Sequence, residues 1–384
     1  MKQSHLSRRY QRTAGAEAAP PAPAPRRQPV INLTIGDPDK TTDPIITRAA
    51  FEDVLAGYTH YAHPLGDPEL RDEICRYYRE EYGMSIGRDN VLVTTAGNVA
   101  MYLAMQALLD PGDEVIVATP CFFVYFEQIR MAGGVPVEVP TFAENDFRLE
   151  AARMEAAVTP KTKAILFNTP CNPTGMCYDR AGLEAVADIA RRHDLVVVAD
   201  DIYTALSFET PFVPIASLEG MADRTVTINS FSKNFTMAGW RIGNIVAAPD
   251  IIRALGQVND CVVFGAPMPS QRAALHALRN REAIVPKVVE LYRERVNYAF
   301  SRIEEIPGLK AVRPQGTFYL FPDIRGSGLS SGAVVARLAE EGVLVKSGAD
   351  FGASGEGYVR ISCTVGIEAL KEAFDRIAQM PEFQ

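Results

Sequence analysis

A chain of 384 residues is too long for one ordinary hydrophobic core and suits two domains, or a large domain with a smaller partner. Apolar residues make up 47% of it and charged residues 22%, so it can bury a sizeable core and is not a disordered protein. Its net charge of −8 argues against nucleic acid or an anionic membrane as the main partner, but leaves room for a local basic pocket.

No apolar run reaches the length of a membrane span, so no membrane partner is expected. The six cysteines (Cys75, Cys121, Cys171, Cys177, Cys261 and Cys363) form no CxxC pair and no zinc-ligand spacing. They read as reduced thiols of a cytoplasmic protein. The five histidines form no metal-binding pattern, so no metal is expected.

In chain order, residues 1–30 come first. Their Pro/Ala-rich centre lies between Arg8-Arg9 and Arg26-Arg27, and it reads as a disordered tail. From Ile31 an apolar run leads to the turn Gly36-Asp37-Pro38. A glycine there permits close approach of backbone to a ligand, although taken alone the residues read better as a plain Gly-Asp-Pro turn. The cluster Tyr58 to His63 ends in Gly66-Asp67-Pro68, where Asp67 should cap a helix with Pro68 in its first position. His60 and His63 read as incidental surface residues.

An alternation follows. Strands are predicted at Val91–Thr94, Val115–Ala118, Val135–Val139, Ala164–Phe167, Leu195–Ala199 and Thr225–Ile228. Helices are predicted at Val99–Leu109, Phe122–Met131 and Gly182–Arg192. Short β-branched runs between amphipathic helices indicate an α/β fold with a mostly parallel sheet covered on both faces. Ligands of such sheets bind at the carboxyl ends of the strands.

Those ends carry the chemistry. Gly97-Asn98 opens a helix, where backbone N–H groups and the positive dipole end suit a phosphate. Phe122 offers an aromatic plate, Asn172 an amide, Asp200 a carboxylate and Tyr203 a phenol. The last strand runs into Ser230-Phe-Ser-Lys233, with Arg241 shortly after. A lysine whose charge is suppressed can form a Schiff base with a carbonyl. Arginine and serine beside it match phosphate oxygens. Together they describe a seat for a phosphorylated aldehyde, and pyridoxal 5′-phosphate is the obvious one. No GxGxxG follows the first strand, and Gly352 to Gly357 fails that spacing, so a dinucleotide site has no support.

Past Gly265 the pattern changes. A long helix over Val285–Glu305 precedes strands at Gly316–Phe321, Val343–Val345 and Tyr358–Ser362, which reads as a smaller α+β domain. Arg360 sits mid-strand in apolar company, so an anionic partner is expected, either a ligand or a protein carboxylate.

These motifs resemble the class I/II aminotransferases, fold-type I pyridoxal-phosphate enzymes, from Ile31 to the end. The matching residues are Tyr61-Ala-His-Pro-Leu-Gly66, Gly97-Asn98, Asn172-Pro-Thr-Gly175, Asp200-Asp-Ile-Tyr203, Ser230-Phe-Ser-Lys233, Gly239-Trp-Arg-Ile-Gly243 and Tyr358-Val-Arg-Ile-Ser362. The resemblance implies a tail (1–30), an N-terminal arm against the small domain (31–48), a large cofactor-binding domain (49–264) and a small C-terminal domain (265–384). It also implies a homodimer with shared active sites.

By the same resemblance, Lys233 bonds the cofactor aldehyde and then carries the proton between substrate Cα and cofactor C4′. Asp200 pairs with the pyridine nitrogen, and Tyr203 and Asn172 bond the ring 3′-oxygen. Phe122 and Ile202 pack on the two ring faces. Gly97, Asn98, Ser230 and Arg241 hold the phosphate, joined by Tyr61 of the neighbouring subunit. Arg360 clamps the substrate carboxylate, helped by Asn172 and the Gly36 backbone.

The sequence departs from the family in three places. Lys40 stands where an aromatic residue is usual, Cys121 where tyrosine is frequent, and Phe122 where tryptophan or tyrosine is frequent. The expected activity is transfer of an amino group from an L-amino acid, aspartate or an aromatic one, to a 2-oxo acid such as 2-oxoglutarate. A carbon–sulfur β-lyase on the same cofactor is the alternative. An effector module of a transcription regulator is disfavoured, because the first 30 residues are too short for a DNA-binding domain.

Overall fold

The structure, a computed structural model, describes residues 28–384. The tail expected over 1–30 therefore lies, save its last three residues, outside the described residues. The strands in chain order are β1 (Ile31–Asn32), β2 (Val91–Thr94), β3 (Glu114–Thr119), β4 (Val135–Pro140), β5 (Thr162–Asn168), β6 (Val196–Asp200), β7 (Thr225–Ser230), β8 (Gly243–Val246), β9 (Tyr319–Leu320), β10 (Val343–Leu344), β11 (Lys346–Ser347) and β12 (Val359–Ser362).

Seven of them form the central sheet, in the order β2-β8-β7-β6-β5-β3-β4. Six of the seven run in one direction, and β8 runs antiparallel to both its neighbours, β2 and β7. The six predicted strands of this sheet appear within two residues of their expected bounds. β8 is the addition. Gly243 and Asn244 interrupt its apolar run, and no crossover helix precedes it, so it lacks the pattern that marks the others.

Successive residues of a strand face opposite sides, and here both sides are apolar. Val115, Leu166, Val198 and Ile228 enter one core layer, with the helices Ala96–Leu108 and Pro249–Val262 over it. Ile116, Ile165, Val197 and Ala199 enter the opposite layer, under the helix Arg180–Arg192. Burying each Val, Ile or Leu contributes about 1.5–3 kcal/mol, so a one-residue register slip has no lower-energy face to turn to. The register sets Asn168 beside Asp200, and Asp200 beside Ile228. The carboxyl ends of β5, β6 and β7 thus stand level.

Local signals place the helices. Asp67 accepts from the Glu69 N–H at 3.1 Å, Pro68 takes the first helical position, and Gly83 ends the helix at φ 67°. The helix after β2 begins at Ala96, three residues earlier than expected, with Ala96 itself at φ 69°. Its N-terminus therefore sits directly at the sheet edge. The helix after β3 begins at Val124, two residues later than expected, and Phe122 stays in the connecting loop. The Cys121 N–H is drawn instead to the Phe351 carbonyl, 2.9 Å away.

In the C-terminal part, a 24-residue helix runs from Arg281 to Glu304. β9, β12 and β11 form an antiparallel ribbon, and β10 pairs in parallel with β1. The strand expected over Gly316–Phe321 shrinks to β9. Its first residues spend their backbone donors elsewhere: Gln315 and Gly316 on the Gly175 carbonyl at 2.8 and 2.9 Å, and Thr317 on Leu206 at 2.8 Å. Those bonds tie the ribbon to the loops above β5 and β6. The arm is tied from the other side, where Arg295 grips Asp39 through two bonds of 2.7 and 2.9 Å.

The helix Met268–Arg279 packs on the helices Pro44–Leu55 and Pro68–Tyr82. Arg272 joins them through Asp53, Asp67 and Glu69 at 2.7, 3.0 and 2.6 Å. Among the described residues, no helix is long and apolar enough to cross a membrane.

Candidate active site

A cavity of about 740 Å³ opens over the carboxyl ends of β5–β7. The β11–β12 ribbon walls it, and Thr34 to Asp37 run along its rim. Gly36, Gly97, Asn98, Phe122, Asn172, Asp200, Ile202, Tyr203, Ser230, Lys233, Arg241 and Arg360 all line it. Tyr61 does not. It is 89% exposed and edges against Phe264, 5.2 Å away, in a separate recess.

Ser230 ends β7 and caps the four-residue helix Phe231–Asn234, its Oγ accepting from the Ser232 N–H at 3.2 Å. That turn aims Lys233 into the cavity, where Nζ donates to the Gly36 carbonyl and lies 5.7 Å from the Phe318 ring centroid. Burial lowers its pKa, and the charges of Arg360 and Arg241 push the same way against Tyr319 and Asp37. A suppressed ammonium is a better nucleophile and proton acceptor near neutral pH.

Asp200, at the end of β6, is 5% exposed. Burial pushes its pKa up to about 6, against the pull of the Tyr125 hydroxyl, the Ile202 N–H and the Lys233 charge. Tyr125 donates to Oδ2. Oδ1 is buried and has no hydrogen-bond partner among the described residues. An unpaired carboxylate oxygen at the floor of a cavity is costly unless a donor arrives from the cavity side. A protonated pyridine nitrogen is such a donor.

Arg360 has the complementary problem. It is 5% exposed, and no carboxylate pairs with it among the described residues. Its two terminal nitrogens donate to Asn172 Oδ1 at 2.9 Å and to the Thr34 carbonyl at 2.5 Å, and Nε has no partner. The guanidinium lies 4.4 Å from the Tyr319 ring centroid and 5.0 Å from that of Phe351. Of the two partners expected for Arg360, a protein carboxylate is therefore not found among the described residues. Because Asn172 spends Oδ1 on Arg360, its amide N–H groups remain as donors toward the cavity. The Asn172 backbone N–H donates to Asn168 Oδ1 at 2.7 Å, which holds the loop above β5.

Gly97, Asn98, Ser230, Ser232 and Arg241 also line the cavity. The helix N-terminus, two hydroxyls 3.0 Å apart and a guanidinium make an anion cradle. Its shape depends on Gly243. A Cβ there would meet the Asn229 carbonyl at 2.7 Å and the Gly97 nitrogen at 3.1 Å. Gly243→Ala should therefore displace the cradle and weaken pyridoxal phosphate binding by about tenfold or more, as titration of the apoprotein would show. Unchanged affinity would argue that the cradle does not hold the phosphate.

The residues present fit pyridoxal phosphate: a carboxylate with a free oxygen for the ring nitrogen, Phe122 and Ile202 for the ring faces, and an anion cradle for the phosphate. Tyr203 is buried, and its hydroxyl donates to that of Tyr319 at 3.3 Å. Burial, with Tyr319 and Asp200 nearby, keeps Tyr203 a neutral phenol well into the alkaline range.

Two contributors escaped the sequence reading: Tyr125 lies in the run taken as helix and Tyr319 in a run taken as plain strand. Tyr125 had a usable signal, one turn past Phe122, once Asp200 was placed beneath it. Lys40, which stands where an aromatic residue is usual, lines a neighbouring recess and not the cavity itself.

Comparison with known proteins gives the same result. The sequence profile of the family "Aminotransferase class I and II" matches residues 28–377. The chain is 39% identical over 353 residues to the arginine–pyruvate transaminase AruH of Pseudomonas aeruginosa, covering 91% of this chain and 89% of that one. It is 39% identical over 359 residues to an aspartate aminotransferase of Pyrococcus abyssi, covering 91% of each. Among solved structures, a double mutant of Thermus thermophilus aspartate aminotransferase superposes with a TM-score of 0.88 at 38% identity over 91% of each chain. The chain belongs to the class I and II aminotransferases of fold type I, pyridoxal-phosphate enzymes, and is an amino-acid transaminase.

Proposed function

We propose that this transaminase moves the amino group of an L-amino acid to a dicarboxylic 2-oxo acid such as 2-oxoglutarate, each substrate in turn clamped at Arg360. Aspartate and aromatic amino acids are the first donors to test. The observation that carries the reading is a buried guanidinium without a carboxylate, facing a lysine of suppressed charge across one cavity.

Pyridoxal phosphate, when bound, supplies an aldehyde and an electron-withdrawing ring. Arg360 and the Asn172 amide bind the substrate carboxylate and orient the Cα–H bond toward Lys233. Lys233 Nζ takes the proton from Cα and returns a proton on the other side of the exchange. Asp200 holds a proton on the ring nitrogen, and Tyr125 keeps that carboxylate in place. Tyr203 and Asn172 donate to the ring 3′-oxygen. Phe122 and Ile202 would pack on the two faces of the ring and exclude water. Gly97, Asn98, Ser230 and Arg241 anchor the phosphate.

The protein works as a homodimer, with Tyr61 crossing to the neighbouring phosphate. This is supported by the exposed apolar face of Phe51, Leu55, Tyr58, Tyr61 and Phe264, of which Leu55 is 88% exposed. We place it in the cytoplasm, where six unpaired cysteines are at home.

Arg360→Gln tests the clamp. Loss of a buried charge facing a carboxylate should cost about 10²- to 10³-fold in kcat/KM for every amino acid. The assay is the half-reaction, followed by loss of the yellow absorbance on mixing with each amino acid. A variant that reacts as fast as the parent would remove Arg360 from the site. Release of ammonia and pyruvate in place of amino transfer would favour the β-lyase.

A further inference from the structure

Apart from the groups assigned above, the cavity holds one more ion pair. Lys346 and Asp350 both line it, with Nζ 3.1 Å from Oδ2. Lys346 stands directly opposite Arg360 on the antiparallel strands β11 and β12. Opposed residues of such a pair project from the same face. Ammonium and guanidinium therefore enter the cavity from one wall. A run of aromatic rings separates their charged ends. Arg360 lies 5.0 Å from the Phe351 centroid, Phe351 6.3 Å from Phe123, and Lys346 Nζ 5.2 Å over Phe123.

We propose that Lys346 determines acceptor specificity: it binds the distal carboxylate of a dicarboxylic 2-oxo acid whose first carboxylate is on Arg360. Asp350 is its counter-ion when the substrate has no second carboxylate. The inference rests on the transaminase reading and on Arg360 as the clamp.

Two features support it. The pair is loosely held, with the side chains 36% and 43% exposed. Water and salt screen such a bridge, so a carboxylate already anchored at Arg360 can displace Asp350. A ping-pong site must also take two unlike substrates in turn. With Lys346 on Asp350, the wall offers Phe123, Ile35 and Val345 to an uncharged side chain. With Lys346 released, it offers a cation at the far end.

The test uses the holoenzyme, one fixed donor, and 2-oxoglutarate or pyruvate as acceptor. Lys346→Met should lower the ratio of kcat/KM for 2-oxoglutarate over pyruvate by about tenfold or more. Lys346→Arg should restore it to within about threefold. Asp350→Asn acts through Lys346 and should shift the ratio the opposite way, toward 2-oxoglutarate, by about threefold. A bridge that only stabilises the fold would move both acceptors together and both variants in one direction, which overturns the proposal. A wild type that prefers pyruvate overturns it too.

Binding of glutarate against butyrate separates the two levels of inference. If Lys346→Met weakens glutarate alone while no acceptor is turned over by the parent, the subsite stands and the transaminase reading falls. If turnover is normal and glutarate binding is indifferent to residue 346, the subsite alone falls.

Discussion

Lys233→Ala abolishes amino transfer, with the half-reaction slowed by at least about 10⁴-fold for every amino acid. Among the described residues no other amine is placed to replace it. Lys346 is the next lysine on the cavity wall, and it is paired with Asp350. With Arg360 as the proposed carboxylate clamp left intact, the defect is expected in kcat more than in KM. Retained turnover would remove the mechanism. A second consequence concerns stability. The folded-state pKa of Lys233 lies below its ordinary value, chiefly through burial. Between the folded and unfolded pKa the unfolded chain binds more protons, so stability rises with pH across that window. Lys233→Met should therefore raise the Tm of the apoprotein at pH 7, and the gain should shrink as pH approaches 10. A Tm lowered at pH 7 would show that the lysine is not strained by its surroundings.

Asp200→Asn is expected to act in two opposite directions. Activity falls by about 10³-fold, because an amide cannot hold the positive charge on the ring nitrogen. Apoprotein stability rises. The folded pKa is about 6 against an ordinary 3.8, so the native state holds a proton that the unfolded chain releases between those values. Stability due to this group is fully present below pH 3.8 and is lost as pH rises through 6. Removing the charge should thus stabilise the apoprotein by about 3 kcal/mol at pH 8 and hardly at all near pH 4. Denaturant melts of parent and variant at the two pH values measure it. A pH-independent difference would show that Asp200 is not a strained carboxylate.

Much of the site was legible because its residues sit at fixed points of a periodic pattern. Each apolar run of the sheet ends where a polar residue appears, and those residues are the ones that meet: Asp200 after Val196–Ala199, and Ser230 after Thr225–Ile228. β8 was not legible, since Asn244 breaks its run and its partners β2 and β7 are distant in sequence. Nor was the bond from Tyr125 to Asp200, which joins residues 75 apart.

The sequence by itself determined six of the seven strands of the sheet and the helix cap at Asp67, because these follow from local spacing and side-chain chemistry. Only the tertiary structure decided that, among the described residues, Arg360 has no carboxylate of its own and one oxygen of Asp200 is left free, and that Lys346 faces the same cavity as Arg360. Those are statements about partners brought from far along the chain. Burial assigns the cost of lacking a partner, and no sequence pattern records which buried group goes without.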